Sequence, residues 1–296
     1  MIPAFLTYIA VEKKYSPRTV GTYQDDLSEF CEFVGQTPEA YNPKEITEGD
    51  VKEWIVHLME EKHNAPRSVK QKLAALHSLY RFLLKTGATD KDITRRVIAP
   101  KVDKPLPVFF KPNEMQEAIA YEAEADDFES IRDCLIIEML YQTGMRQAEM
   151  LGLTDADVDT QAQQVRIFGK RRKERIVPMG DKLCAQIEQY REVRGGDFGT
   201  FFVRRNSKEE VMPLTKGALY NIVRKRMGEV STLKKHSPHV LRHTFATTML
   251  DNGADIRTIQ QLLGHASLAA TQVYTHTTFE QIQKTYQTAH PRAQKK

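Results

Sequence analysis

The chain has 296 residues, of which 41% are hydrophobic and 28% charged, with a net charge of +4 and a mean hydropathy of −0.50. That length suits two domains with real cores, and no apolar run is long enough to cross a bilayer. The start, Met1-Ile2-Pro3-Ala4-Phe5, lacks the basic-then-apolar pattern of a secretory leader, so a cytoplasmic protein without a membrane segment is expected.

The first hundred residues read as helices. Ser16-Pro17 places an N-cap before a proline at the first helical position. Val20, Tyr23, Leu27, Phe30 and Phe33 then follow at spacings of three and four, an amphipathic face. A second helix starts near Glu48 with Val51, Trp54, Ile55 and Leu58. A third opens near Pro66 and carries Val69, Leu73, Leu76, Leu79, Tyr80 and Leu83, with Arg67, Lys70 and Lys72 on its first turns. With no strand signal, this predicts a small helical bundle over residues 1–97. Residues 98–107 hold three prolines and two lysines and read as a basic linker, leaving 108–296 as a second domain.

That second domain is mixed. A helix is expected from about Phe128 to Gln142, ended by Gly144, and then a short helix carrying Arg146. Gln164–Phe168 and Arg175–Pro178 alternate as strands around a basic tip, a β-hairpin. Helices follow near 181–194, 215–228, 239–251, 255–263 and 279–287, with Thr215 and Asp255 as N-caps and Asn252-Gly253 as a stop. The whole is mainly α with a small antiparallel hairpin, an α+β chain. Cys31, Cys134 and Cys184 are scattered singly, without CxxC spacing, and are read as core residues rather than disulfides or nucleophiles.

Charge distribution says more than net charge. Lys170-Arg171-Arg172-Lys173-Glu174-Arg175 holds five cations and one anion; Arg204-Arg205, Arg224-Lys225-Arg226 and Lys234-Lys235-His236 add three clusters. An acidic stretch runs through Glu122, Glu124, Asp126, Asp127 and Glu129. Separated patches suit a protein with a basic face for a polyanion, although a solvated mixed-charge surface has the same look.

Tyr274 is the residue whose chemistry stands out. A phenol is a poor nucleophile at neutral pH because its pKa is about 10, but cations gathered around it lower that value and also hold a phosphate. His239 and Arg242, three apart on one helix face, pair a group that exchanges a proton near neutrality with one that forks onto phosphate oxygens. Arg146 follows a turn-permitting Gly144, and Glu149 is placed to hold a guanidinium. At the hairpin tip, Lys170 and Lys173 can each reach a phosphate or donate a proton. Each signal alone also fits a structural histidine, a surface ion pair or a basic loop. His236, His239 and His243 raise a metal site as an alternative, but no HExxH motif or acidic ligand lies among them, and Lys235 and Arg242 would repel a dication.

In order, the residues run TGxRxxE, a basic hairpin GKxxKER, HxLRH, LGH and a tyrosine nine residues after that histidine. This constellation resembles the tyrosine recombinase (phage integrase) family over nearly the whole chain. Its SPHxLRHxFAT, NGADIRxIQxLLGH and TQxYTH strings and the closing His290-Pro291-Arg292-Ala293 are most similar to the Xer subgroup. One departure is Arg171, which stands where the family hairpin usually has a second glycine. The resemblance implies a SAM-like helical domain that binds core DNA, a linker and a catalytic domain. It implies Tyr274 as the nucleophile forming a 3′-phosphotyrosyl link, Arg146 and Arg242 on the scissile phosphate, and His265 as a further donor there. His239 would be the base or proton relay and Lys170 the general acid, with no metal, ATP or organic cofactor. Arg67, Lys70, Arg171, Arg172 and Lys173 would touch DNA.

The same resemblance implies partners: a double-stranded recombination site, a homo- or hetero-tetramer on it, a second recombinase and a cell-division DNA translocase. The last helix, with Phe279, Ile282 and Tyr286, would pack on a neighbouring protomer. The role expected is resolution of chromosome dimers; the alternatives are an integrase, transposase or invertase of a mobile element, a non-catalytic DNA-binding protein, and a metal hydrolase.

Overall fold

The computed structural model describes residues 1–102, 108–119, 127–169, 174–264 and 276–293. The chain divides into two compact units, Met1–Pro105 and Leu106–Lys296. Among the described residues no helix is long and apolar enough to cross a membrane.

The first unit holds α1 (Ile2–Val11), α2 (Pro17–Phe33), α3 (Glu48–Glu60) and α4 (Pro66–Lys85). Local chemistry fixes their starts. The Ser16 hydroxyl accepts the Thr19 N–H at 3.2 Å. At α3 the Thr47 N–H donates to Asp50 at 2.7 Å while the Asp50 N–H returns to the Thr47 hydroxyl at 3.3 Å, a reciprocal cap. Phe5, Phe30, Trp54, Leu58, Leu76 and Tyr80 fill the interior, and the buried hydroxyls of Tyr41 and Tyr80 satisfy each other at 2.8 Å. Arg67 and Lys70 lie exposed on α4. Lys72 does not share their surface, since it is tied to Asp26 and Glu29 of α2.

The second unit is built around α6 (Phe128–Thr143), whose residues are buried almost all round. Such a helix lacks a polar face and belongs in the centre; α8 (Asp181–Arg194) and α10 (Pro238–Asp251) pack against it. Around them lie α5 (Pro112–Ile119), α7 (Gln147–Leu151), α9 (Lys216–Val230), α11 (Ile256–Leu263) and α12 (His276–Ala289). Three antiparallel strands run in the order β1 (Val158–Asp159), β2 (Gln164–Phe168), β3 (Glu174–Pro178), with Val165 opposite Val177 and Ile167 opposite Arg175. A second hairpin joins β4 (Val203–Arg205) and β5 (Val211–Pro213). Cys31, Cys134 and Cys184 are buried, and none of them forms a disulfide.

The expectation that the last helix buries its stripe on a neighbouring protomer is corrected: Ile282 and Tyr286 are buried in this chain's own core. The side chain of Phe279 lies outside the described residues. Polar groups pin α12 and the short segment after it. The Tyr286 hydroxyl donates to Gln142 at 3.0 Å, the Asn252 amide to the Ala289 carbonyl at 2.8 Å, and Arg292 Nε to Glu138 at 2.7 Å. His290 is fully buried, which pushes its pKa down to about 3. It is therefore neutral, with Nε2 donating to the Tyr141 carbonyl at 3.3 Å and Nδ1 accepting the Arg292 N–H at 3.3 Å.

Glu138 has no exposed surface, and Arg292 is its cationic partner. Arg292→Met should therefore destabilise the protein by about 3 kcal/mol, the low end for breaking a buried pair because Arg292 itself stays partly in water. Urea unfolding is the check. The Glu138→Gln/Arg292→Met double variant should recover most of the loss; an equal loss in both would mean that the charge on Glu138 is not the cause.

Candidate active site

The site begins where α6 stops. Gly144 takes a left-handed conformation at φ +59°, and a Cβ there would lie 2.5 Å from Phe245 of α10 and 2.8 Å from Leu263 of α11. Only glycine lets the three helices meet at this point. Past this turn Arg146 is extended and caps α7 from outside, rather than lying within the short helix as the sequence implies. Glu149, one turn on, folds back to it. One carboxylate oxygen accepts the Arg146 N–H at 2.7 Å and the other its Nη1 at 2.7 Å. Glu149 thus holds the guanidinium as its spacing predicts.

Arg242 comes from α10, distant in sequence. It is buried, and donates Nη1 to the Gly144 carbonyl at 2.6 Å and Nη2 to the Leu263 carbonyl at 2.7 Å. These are carbonyls at the C-terminal ends of α6 and α11, where peptide dipoles leave partial negative charge and no further helical N–H. Two helix ends therefore aim one guanidinium. Burial, then the nearby Arg146 and Arg175, push the Arg242 pKa down to about 10, which still leaves it cationic at neutral pH.

A third arginine converges here, one that charge counting places on the basic tip. Arg175 is buried on β3 and donates Nη2 and Nη1 to the two oxygens of Glu149, at 2.7 and 3.1 Å, and Nε to the Leu262 carbonyl at 2.6 Å. The signal is present in the alternation: a period of two puts Arg175 on the same face as buried Val177. Burial pulls the Glu149 pKa up, but Arg175 and then Arg146 outweigh it and leave it below the ordinary value. Three guanidinium ions around one carboxylate leave a surplus of positive charge. The arrangement is suited to an anion that carries two or three oxygens, and a phosphodiester is such an anion.

His239 is exposed on the first turn of α10, one turn before Arg242. His243 is exposed as well, whereas His236 stacks on Phe110 with centroids 6.0 Å apart and sets Nε2 against the Ser231 carbonyl at 3.2 Å. The three histidines are thus not turned to one centre, and among the described residues no group of His, Cys, Asp or Glu is placed to hold a metal ion. Lys170, Arg171, Arg172, Lys173, His265 and Tyr274 lie outside the described residues. Of the other basic clusters, Arg205 covers the Phe128 ring at 4.7 Å, while Lys234 and Lys235 are exposed.

Residues 109–281 match the phage integrase family and residues 2–87 the phage integrase N-terminal SAM-like domain. A protein of Chlorobaculum parvum named tyrosine recombinase XerC is 36% identical over 98% of this chain and 94% of the relative. Among solved structures, the XerH site-specific recombinase bound to difH substrate has a TM-score of 0.64 at 24% identity, covering 88% of this chain and 78% of that one. A lambda integrase tetramer bound to a Holliday junction has a TM-score of 0.67 at 16% identity, covering 92% and 79%.

The helical unit, the mixed unit and these matches define a tyrosine-type, site-specific DNA recombinase. The chain belongs to the phage integrase family, and within it to the Xer type.

Proposed function

We propose that Tyr274 attacks a scissile phosphodiester to form a 3′-phosphotyrosyl link and release a 5′-hydroxyl, which later reverses the reaction on a new strand. Arg146 and Arg242 hold the two non-bridging oxygens, His265 donates a further hydrogen bond, His239 relays the tyrosine proton and Lys170 protonates the leaving oxygen. The observation that carries this reading is the convergence of Arg146 and Arg242, from separate helix ends, on the region of Glu149. Fixed donors aimed at developing charge are the largest usual contribution to such a reaction, and the covalent link keeps the energy of the broken ester for rejoining.

The exposed Arg67 and Lys70 on α4 suit contacts to DNA phosphates, as do Arg171, Arg172 and Lys173 by their charge. The assembly would be a homo- or hetero-tetramer on two duplex sites in the cytoplasm. Its role would be to resolve chromosome dimers at cell division, with a second recombinase and a DNA translocase as partners.

The test is covalent capture. Wild-type protein is incubated with a pool of nicked duplexes carrying random cores, and adducts stable in SDS are isolated and sequenced. The expected product is protein on a 3′-phosphate, a free 5′-hydroxyl and a shared core sequence. No adduct, or cleavage lost to EDTA and restored by zinc, would falsify the reading.

A further inference from the structure

One residue ties the site together without belonging to the proposed set of catalytic groups. Arg175 has no room to be a phosphate ligand: its side chain is 4% exposed, and each of its three nitrogens is committed to a protein acceptor. Those acceptors belong to two other segments. One is Glu149, which grips the backbone and side chain of Arg146. The other is the Leu262 carbonyl, one residue before the Leu263 carbonyl that receives Arg242. Gly264 then passes so close that a Cβ there would lie 3.2 Å from Arg175 Nη1 and 3.3 Å from its Cδ. A single planar cation at the loop end of the β2–β3 hairpin, opposite Ile167, thus joins α7 to the end of α11.

We infer that Arg175 is a positioning residue for strand cleavage, fixing Arg146 through Glu149 and Arg242 through the end of α11, without touching DNA. The inference rests on the proposed roles of Arg146 and Arg242. Lysine does not replace it. An ammonium on a flexible stem can meet one carboxylate oxygen, but cannot present three coplanar donors to a carboxylate and a carbonyl together. Small displacements of positioning groups slow chemistry far more than they weaken binding.

The test uses the full chain and the duplex recovered by covalent capture, under single-turnover conditions. Arg175→Lys should lower the cleavage rate at saturating DNA by roughly 10- to 100-fold, with DNA affinity within about threefold of wild type. The salt dependence of binding should not change, because a lost phosphate contact reduces that slope by about one. In an Arg146→Ala background the same change should cost less than about threefold more, since the two act as one unit.

A cleavage rate within threefold of wild type in folded Arg175→Lys, or a reduced salt slope, overturns the inference. So does full additivity with Arg146→Ala. Where Arg175→Lys does not fold, Glu149→Gln/Arg175→Gln removes both members of the buried pair together and should still cleave at least tenfold slower than wild type; a wild-type rate there is equally fatal. If instead Arg146→Ala and Arg242→Ala both cleave normally, or wild type cleaves nothing, it is the reading of the site that fails, and the Arg175 role falls with it.

Discussion

Tyr274→Phe should abolish the covalent protein–DNA adduct while leaving DNA binding close to wild type. The phenyl ring keeps the shape of the side chain and removes only the oxygen that would be phosphorylated. The prediction is sharp because the buried thiols and phenols among the described residues are poor substitutes. Burial raises the thiols of Cys31 and Cys184 to about 11 and also raises that of Cys134. A thiol with a pKa near 11 is thiolate in only about one part in ten thousand at pH 7. Burial likewise raises the phenols of Tyr141, Tyr190 and Tyr286, and none of these hydroxyls can reach DNA from the core. The measurement is an SDS-stable adduct on a nicked duplex labelled beside the nick. An adduct that persisted in Tyr274→Phe would mean a different nucleophile, and peptide mapping of the labelled protein would identify it.

What is legible in the sequence is what local chemistry decides. Ser16, Thr215 and Asp255 cap their helices because a short oxygen-bearing side chain reaches the free N–H groups whatever the tertiary context. Gly144 reads as a helix stop because few other residues adopt its backbone. What escapes depends on partners far along the chain. The two-residue β1 exists only through its pairing with β2, and β4 and β5 are three residues each, too short for alternation to register. The α1 stripe of Ile2, Phe5 and Ile9 has helical spacing, but three apolar residues in so short a run also suit an irregular segment laid on a core.

Arg175 counts in the sequence as one more surface cation because it ends a run of them. Its burial follows from which strand face meets α7 and α11, and only the fold decides that. The stripe on α12 is visible too, yet an apolar stripe carries no address. The buried Glu138, Tyr141 and Gln142 of α6 supply that address here, and in sequence they look like any polar turn of a helix.

Arg242→Ala should lower the single-turnover cleavage rate at saturating DNA by about a thousandfold, close to 4 kcal/mol at the transition state. Arg242→Lys should recover little of it. Two effects compete in this variant. Removing the guanidinium strips the Gly144 and Leu263 carbonyls of their donors, which costs roughly 1–3 kcal/mol of stability if water does not replace them. Removing it also relieves the crowding of three cations, since Arg146 and Arg175 are among the causes that depress the Arg242 pKa.

The net change in stability is therefore smaller than the loss of transition-state binding, and the rate should fall in protein that remains folded. Thermal unfolding and the cleavage rate, measured on the same preparation, separate the two. Lysine fails for a geometric reason: the two carbonyls are gripped by different nitrogens of one planar group, which leaves its edge fixed in direction, whereas an ammonium that satisfies one carbonyl has no fixed direction left for a phosphate. A folded Arg242→Ala that cleaves within tenfold of wild type would place the phosphate somewhere other than between α6, α10 and α11.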